Sequence, residues 1–563
     1  MFIQFRNPAD NTEAAAKLGA GALWEVPVLD GYSFSQTTNT SEITLAEMES
    51  TAGISRRGRR MFTDSLAPAE WSFSTYIRPF KSKAGSATPA GSVQADVAAE
   101  VHAVEEAFFA SMFGADTYAE GGATGFTRAT NPAGSGGGVS GGVITPGANS
   151  SVITIGESNR SALTSFTLYF MIDTATDNPL VYRMPEAIVN EVSVDFDVDG
   201  IATLNWSGFA KEVQDVSGNV CTGTTPPASN ATGATGRKDG SAIVLGDIFI
   251  DTDNAAGRQF SLIKTVPGGS SAVSVQAAID EASTSTKNFI RNRLTSVSVE
   301  AATATDKVPT IFPGKQAAIT AVDVSGGTDK VTTGTAHGFA TGDEVQISGI
   351  TGSGGTTVDL NGTHFVNVTS TTQFKLYNTA ANATTGSATG LTDLDALSAG
   401  TLTNAVVCNG KYSLVLTGGS FNIANNITYL VPEELGAINK PLEHVTGTRT
   451  ATGNATCYLT LEDSDITSGT SRQFFNDLVG TGAMSKVVNK FKVTMDIGGS
   501  TAATAGSNDP ALKIEFPSAH ITVPTHQIED VISLETSFEA LPTDFGTADE
   551  ITALTYFPVD DYA

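Results

Sequence analysis

The sequence predicts a mainly β protein with two tandem β-sandwich or barrel units, each with a flanking α-helix, and a small β-barrel module inserted in the second. The 563 residues include 57 glycines, 40% hydrophobic residues and only 16% charged residues, a composition typical of a β protein with many turns. Long segments alternate apolar and polar residues with the period of a half-buried strand. One pattern of strands, helix and proline also occurs twice along the chain.

The repeated pattern keeps a constant spacing. The matched residues lie 332 positions apart in each case: Pro185 and Pro517, Phe196 and Ile528, Trp206 and Phe538. Upstream, Phe108-Phe109 and Phe474-Phe475 match at a spacing of 366. Alternating strands resemble one another by composition alone, so chance similarity is the alternative. The shared order of elements favours a duplicated unit.

The first unit is expected to occupy residues 1–215. Within residues 70–77, Trp71, Phe73 and Thr75 alternate with polar residues and share one face. A helix is predicted over residues 93–113, where apolar residues recur at three- and four-residue spacing. The other predicted strands cover residues 24–31, 32–37, 165–172 and 191–209.

Residues 216–286 are expected to connect the two units. They lack a sustained pattern and include Pro226-Pro227, which indicates a linker or long connection. Within it, a strand is predicted over residues 243–250 and a helix over residues 274–282.

The inserted module is expected to occupy residues 317–395, where glycine turns recur regularly between short strands. Such an insert is tolerated because its two ends lie close together. The second unit is then expected to comprise residues 287–316 and 396–563, resuming near Thr401.

The chain is strongly acidic, with 32 Lys and Arg against 59 Asp and Glu and a formal net charge of −27. A protein that grips nucleic acid supplies Lys and Arg to the phosphates, so this balance argues against a nucleic-acid-binding protein. Solubility explains it simply. A surface past which nucleic acid slides is the sharper interpretation, and it applies only if the fold forms a channel.

Asp195, Asp197 and Asp199 form a row on one face of a predicted strand, opposite Val192, Val194 and Phe196. Catalytic carboxylate pairs need two different environments, which a uniform row does not provide. The loop pattern of an EF-hand is also absent. A solvated acidic face is therefore predicted.

No motif indicates an enzyme, a metal or a cofactor. The chain contains no HExxH sequence, no strand-to-helix GxSxG elbow and no phosphate-binding loop. Cys221, Cys408 and Cys457 fit no CxxC spacing and are expected to be free thiols, with Cys457 facing inward and synthesis in a reducing cytoplasm. Neither a signal peptide nor an apolar run of about 18 residues is present in the sequence.

Residues 26–36, with residues 69–76 and the closing segment 531–541, resemble the major tail tube proteins of tailed bacteriophages. The segments 335–339, 341–345, 360–363 and 371–374 resemble a small β-barrel module of phage virion proteins, similar to a half-domain of ubiquitin-activating enzymes. Nothing in the module implies ubiquitin chemistry, and we expect it to decorate the outside of a tube.

The tail tube resemblance implies a structural virion protein, not an enzyme, that polymerises into stacked rings forming a conduit for viral DNA. A duplicated subunit implies three chains in each pseudo-hexameric ring. The implied partners are further copies of the chain, the tail terminator, the tail tip or baseplate, the tape measure protein and DNA that passes without specific binding. A phage fibre or adhesin and a capsid decoration protein are the alternatives.

Two sets of site residues follow from this resemblance. The candidate lumen-facing acidic residues are Asp195, Asp197, Asp199, Glu529 and Asp530. The basic cluster of Arg56, Arg57, Arg59 and Arg60 is the candidate inter-subunit loop, where ion pairs with acidic partners would set the register between subunits.

Overall fold

The computed structural model describes thirty-one segments of the chain. They are residues 1–5, 23–43, 60–77, 80–81, 101–102, 105–113, 120–121, 125–126, 145–146, 151–154, 163, 165–172, 179–197, 199–232, 236–252, 259–278, 292–301, 316–323, 328–351, 360, 362–392, 394, 401–431, 440–459, 470–479, 491–498, 512–522, 525–528, 532–542, 549–551 and 553–556.

The first half consists of short antiparallel strands and one helix. Its elements are β1 Phe2–Phe5, β2 Leu23–Glu25, β3 Ser33–Ser35, β4 Thr38–Ile43, β5 Arg60–Leu66, β6 Ala69–Tyr76, β7 Phe80–Lys81, β8 Val101–His102, α1 Glu106–Phe113, β9 Glu120–Gly121, β10 Gly125–Phe126, β11 Thr145–Pro146, β12 Ser151–Thr154, β13 Phe166–Ile172, β14 Leu180–Asp197, β15 Thr203–Ala210 and β16 Gln214–Asp215.

A four-stranded sheet and a closed barrel follow. The sheet contains β17 Val220–Gly223, β18 Ile248–Asp251, β19 Gln259–Thr265 and β20 Ser274–Ala277, and is followed by β21 Ser296–Ala301 of the second half. The six barrel strands, in chain order with one helix, are β22 Gln316–Val322, β23 Val331–Thr333, β24 Glu344–Thr351, β25 Gly362–Ser370, β26 Gln373–Tyr377, α2 Ala380–Thr385 and β27 Thr401–Cys408.

The second half resumes immediately after the barrel. Its elements are β28 Lys411–Leu414, β29 Leu416–Ala424, β30 Thr428–Leu430, β31 Glu443–Val445, β32 Thr450–Tyr458, α3 Ser471–Val479, β33 Phe491–Ile497, β34 Leu512–Ile521, β35 Thr525–Ile528, β36 Ile532–Ala540 and β37 Ala553–Tyr556. The protein is thus mainly β with a six-stranded closed barrel, which confirms that part of the predicted fold class.

Both halves contain seven strands paired in the same antiparallel order. In the first half the order is β3-β6-β15-β14-β13-β1-β2. In the second it is β29-β32-β36-β34-β33-β21-β28. Even an irregularity is shared, because the register shifts between Phe166 and Leu168 on β13 and between Phe491 and Val493 on β33.

The pairing corrects one sequence-based match. Ile188 lies opposite Phe209, and His520, 332 positions later, lies opposite Glu539. Positions on β15 and β36 therefore correspond at a spacing of 330, since 539 − 209 = 330. Trp206 consequently corresponds to Thr536, and the predicted match with Phe538 is displaced by two residues.

The core of each half lies between its strands and its helix. In the first half Phe108 of α1 packs edge-on against Phe166, with ring centroids 5.8 Å apart at 74°, and also contacts Trp206. In the second half Phe474 of α3 meets Phe491 at 6.4 Å and 76°. Buried aromatic side chains of this size dominate core stability.

Two predicted helices differ from the structure. Only Glu106–Phe113 of the helix predicted over residues 93–113 is helical among the described residues, and Val101–His102 pairs as a strand. Ser274–Ala277 is strand β20, where buried Val273 and Val275 flank exposed Ser274. Pairing with β19 outweighs the helical propensity of the alanines that follow; residues 279–282 of the predicted helix lie outside the described residues.

The four-stranded sheet lies in the region expected to be a connection. Its Phe260 stacks on Phe2 of β1 with ring centroids 3.9 Å apart, and lies 5.7 Å from the Tyr169 ring. Phe260 and Leu262 belong to the same apolar cluster as the core of the two halves. The sheet therefore covers the outer strands of the first half with an apolar contact.

The barrel has a separate apolar core, built around Val345, Val366 and Phe374. β27 closes it by pairing with both β22 and β24, so the barrel extends beyond residue 395, where the module was expected to end. Buried His337 accepts the Phe339 amide on Nδ1 at 3.0 Å, and its Nε2 lies 3.0 Å from the Ser370 carbonyl oxygen. These contacts indicate a structural role.

Candidate functional site: the open face of the long sheet

Eight strands of the two halves form one continuous run, β3-β6-β15-β14-β29-β32-β36-β35. Because side chains alternate across a strand, one face of this run packs on the core through Phe73, Trp206, Val194, Phe421 and Phe538. We call the opposite face, which these strands present away from the core, the open face.

The open face is polar and acidic. Ser, Thr and Asn predominate, and the described residues that pair within this run include no Lys or Arg. Arg183 of β14 lies before the run begins, where β14 pairs with β13 and β16. The described carboxylates of the open face come from three strands: Glu70 of β6, Glu191 and Asp195 of β14, and Glu535 and Glu539 of β36. All are exposed except half-buried Glu191. A face of this composition repels polyanions and offers them no cationic partner.

Short polar side chains tie the strands together across this face. Ser33 and Ser72 hydroxyls lie 2.8 Å apart, and the Ser74 hydroxyl donates to Asn205 Oδ1 at 2.7 Å. The Asn422 side-chain amide donates to Glu191 across the junction between the halves. Cross-strand pairs of this kind stabilise a sheet.

The structure places the predicted acidic row only in part on the open face. Asp195 is exposed there, and Asp197 follows it on β14, opposite Gly418. Asp199 lies beyond the strand, where its Oδ1 accepts from Arg293 at 2.8 Å, with both side chains exposed. Glu529 and Asp530 lie outside the described residues.

The predicted basic cluster is mostly outside the described residues as well. Arg56, Arg57 and Arg59 fall between β4 and β5, and Arg60 opens β5 with its backbone opposite Ile43. The structure describes nothing of the Arg60 side chain.

Sequence reasoning missed Glu70, Glu535 and Glu539. The signal was present, since each alternates with a buried residue in a strand: Glu70 beside Trp71, Glu535 and Glu539 around Phe538. Their place on one face with Asp195 depends on strand pairing between residues far apart in sequence, which periodicity alone does not give.

The two halves join through β14 and β29. These strands pair over seven residues, from Glu191 opposite Ala424 to Asp197 opposite Gly418. β3 and β35 form the two ends of the run, and each has one neighbour among the described residues, β6 and β36. An unpaired edge exposes backbone donors and acceptors that another strand can pair with.

The end strands correspond to the two strands of the internal junction. Counting pairs through the shared strand order equates Ser33 with Ser420 and Phe34 with Phe421. The same count equates Gln527 of β35 with Asp195 of β14. Each end strand of the run therefore corresponds to one of the two strands that pair with each other at the β14–β29 junction inside the chain.

The described residues hold no group of three or more His, Cys, Asp or Glu that could bind a metal ion. None of the three cysteines is joined in a disulfide, as predicted, and Cys457 is buried on β32. Among the described helices, none has the length and apolarity needed to cross a membrane.

These features define a mainly β protein whose long sheet has one polar, acidic face and two matching edges. No family model matches the chain. Over 142 residues, 25% of the chain, the sequence is 34% identical to "Tail tube protein pb6" of Escherichia phage T5. The match spans 28% of that relative's length.

Proposed function

We propose that this chain is a structural subunit of a phage tail tube, without enzymatic activity, and that its two halves are duplicated tube units. Three chains would close a pseudo-hexameric ring, and stacked rings would form the conduit for viral DNA. The similarity to a tail tube protein supports the class of function. The observation that carries the ring is the internal β14–β29 junction, whose two counterparts stand at opposite ends of the sheet.

The internal junction supplies a register for the contact between chains. Inside the chain, Asp195 lies opposite Ser420 and Val194 opposite Phe421. The corresponding pairs between chains are Gln527 opposite Ser33 and His526 opposite Phe34. Closing the ring in this way satisfies both edges, which would otherwise invite unregulated pairing.

Cysteine cross-linking tests this register. In a Cys408→Ser background, a chain carrying Ser33→Cys and Gln527→Cys is expected to form disulfide-linked trimers on oxidation, because directly opposite positions have Cβ atoms about 5 Å apart. The matched control pairs Gln527→Cys with Ser35→Cys, a diagonal position about 7–8 Å away, and is expected to cross-link poorly.

The outcomes separate the alternatives. Linked trimers confined to the opposite pair support a three-chain ring, whereas linked hexamers would contradict the duplicated subunit. Absence of linkage in assembled protein would overturn the sheet closure and favour a fibre, an adhesin or a capsid decoration protein. Electron microscopy of the same sample reports whether hollow rings are present.

A hairpin in each half supports contact with a neighbouring chain. β30–β31 extends from β29 onto the first half, where Tyr429 packs against Phe209 and its hydroxyl donates to the Glu186 carbonyl oxygen. The corresponding hairpin β4–β5 exposes Met61 and Phe62. We propose that it docks on the second half of the next chain, with the loop carrying Arg56, Arg57, Arg59 and Arg60 forming inter-subunit ion pairs.

The open face is our proposed lumen wall. Asp195, Asp197, Glu70, Glu535 and Glu539 would repel DNA phosphates, and the lack of Lys and Arg among the described residues paired within the run removes the contacts that retain DNA. Asp199, Glu529 and Asp530 remain candidates for the same wall. Three chains carry a formal charge of 3 × −27 = −81. The proposed location is the virion tail, after synthesis in the host cytoplasm. The tail terminator, tail tip or baseplate and tape measure protein are proposed partners.

A further inference from the structure

A polar cavity separates the barrel from the outer strands of the second half. Its volume is about 350 Å³, room for on the order of ten water molecules at about 30 Å³ each. The barrel contributes Gly342, Asp343, Glu344, Phe365 and Ala380 to its walls. The charged residues of the opposite wall come from β21, β28, β33 and β34: Glu300, Lys411, Lys492, Asp496, Lys513 and Glu515.

The wall formed by the second half is a network of opposite charges. Lys411 Nζ lies 3.0 Å from Glu300 Oε1, and Glu515 Oε1 lies 3.3 Å from Lys492 Nζ and 3.2 Å from Lys513 Nζ. Burial lowers the pKa of Lys411, but Glu300, Asp343 and Asp496 outweigh it, so its pKa is raised. With every group ionised, three lysines and three carboxylates make this wall formally neutral.

Asp496 is the exception in this network. Its residue is only 8% exposed, and its Oδ1 has no hydrogen-bond partner among the described residues. Burial raises the pKa of this carboxyl to about 6, against the attraction of Lys513, Lys411 and Lys492 and with the repulsion of Glu515. Protonating Asp496 gives the wall a formal charge of +1, opposite the −2 of Asp343 and Glu344 on the barrel.

The barrel is otherwise weakly joined to the second half. Its apolar core is a cluster of its own, and in the described pairing none of its strands joins the long sheet. The chain enters it after β21 and leaves it through Asn409 and Gly410. A domain with its own closed hydrogen bonding and core keeps its fold when an interface of this kind opens.

We propose that the barrel is a separately folded domain that docks reversibly on the charged wall, and that protonation of Asp496 favours the docked state. The docked state holds Asp496 in the cavity, where burial raises its pKa, whereas undocking would expose the carboxyl to water and lower its pKa toward the ordinary value of 3.8. Docking therefore takes up a proton between about pH 4 and 6, and it strengthens as pH falls through that window. Salt weakens the attraction across the gap.

Thiol accessibility in the intact protein tests this inference. In a Cys408→Ser background, Ser298→Cys places a thiol in the wall beneath the barrel. Its labelling rate with a pyridyl disulfide, divided by that of an exposed cysteine at Thr371, is expected to fall about tenfold from pH 7.5 to 5. At pH 5 it is expected to rise with added salt. Thr167→Cys, at a fully buried position of β13, is the control and should stay unlabelled throughout.

Two variants test whether Asp496 and the barrel carboxylates cause the pH dependence of labelling. Asp496→Asn is expected to hold the labelling of Ser298→Cys low at both pH values, because the neutral side chain mimics the protonated one. Glu344→Gln removes one barrel charge and is expected to raise labelling at pH 5. Labelling insensitive to pH and salt, or an Asp496→Asn protein that keeps the full pH dependence, would overturn the proposal.

Discussion

The outer faces of the two halves have the same strand order but side chains of different chemistry. In the first half, Phe2, Leu23 and Tyr169 lie under the four-stranded sheet as part of one apolar core. The register equates them with Ser298, Lys411 and Thr494 under the barrel. Met171 likewise corresponds to Asp496. Backbone pairing is thus kept, while these outward-pointing side chains have changed from apolar to polar or charged.

The four-stranded sheet covers the outer face of the first half and the barrel covers that of the second half. The chemistry of each face determines how strongly its cover is bound. Apolar burial contributes roughly 25 cal/mol for each Å² removed from water, so the stacked Phe2 and Phe260 rings make the four-stranded sheet part of the first half. Covering a charged face removes its hydration, and the free-energy cost is offset only where the charges form well-placed ion pairs. A polar cavity accordingly separates the barrel from the charged wall of the second half.

The largest effect is expected from breaking the apolar cover. Phe260→Ala should lower the free energy of unfolding of the first half by about 3–5 kcal/mol, since it removes a buried ring and leaves a cavity. All three tryptophans, Trp24, Trp71 and Trp206, lie in the first half, so urea unfolding followed by tryptophan fluorescence reports on it directly.

The matched control is Phe374→Ala, an equally buried ring in the barrel core. If the barrel unfolds by itself, the tryptophan midpoint stays at its wild-type value while the circular dichroism signal loses amplitude at lower urea. A Phe374→Ala protein with an equally lowered tryptophan midpoint would instead show one cooperative unit and remove the contrast between the two covers.

An intermediate effect is expected on the charged face, with opposite signs at neighbouring carboxyls. The pKa of Asp496 is raised to about 6, so its contribution to stability is complete below about pH 4 and is lost as pH rises through 6. Asp496→Asn should therefore stabilise the second half by about 1–2 kcal/mol at pH 7.5 and have no effect at pH 4.

Glu515→Gln is the companion variant. Burial raises the pKa of Glu515, but Lys492 and Lys513 outweigh it and leave the pKa lowered, so its stabilisation is present above its ordinary pKa of 4.5 and is lost in acid. The neutral variant should be less stable than wild type at pH 7.5. Thermal unfolding by circular dichroism at both pH values measures each sign, and equal shifts in the same direction would refute the assignment.

Sequence periodicity predicted much of the fold because alternation is a local property. Trp71, Phe73 and Thr75 are buried on β6 as expected. The four-stranded sheet escaped prediction because β17 pairs in parallel with β18, twenty-five residues after it ends. The acidic face escaped in part for the same reason, since Glu70 and Glu535 meet Asp195 only through long-range pairing.

The smallest effect is expected at a solvent-exposed ion pair, compared with an ion pair on the charged wall beneath the barrel. Arg293 and Asp199 form a 2.8 Å pair with side chains 65% and 84% exposed. Because solvent screens such pairs, Arg293→Ala should change the free energy of unfolding by less than about 0.5 kcal/mol. Lys411→Leu installs the counterpart Leu23 of the first half, but it leaves Glu300 without its 3.0 Å partner and should cost about 1 kcal/mol. A larger loss of stability in Arg293→Ala than in Lys411→Leu would mean that the charged wall beneath the barrel is no more desolvated than the exposed surface. The barrel would then cover this wall without excluding water from it.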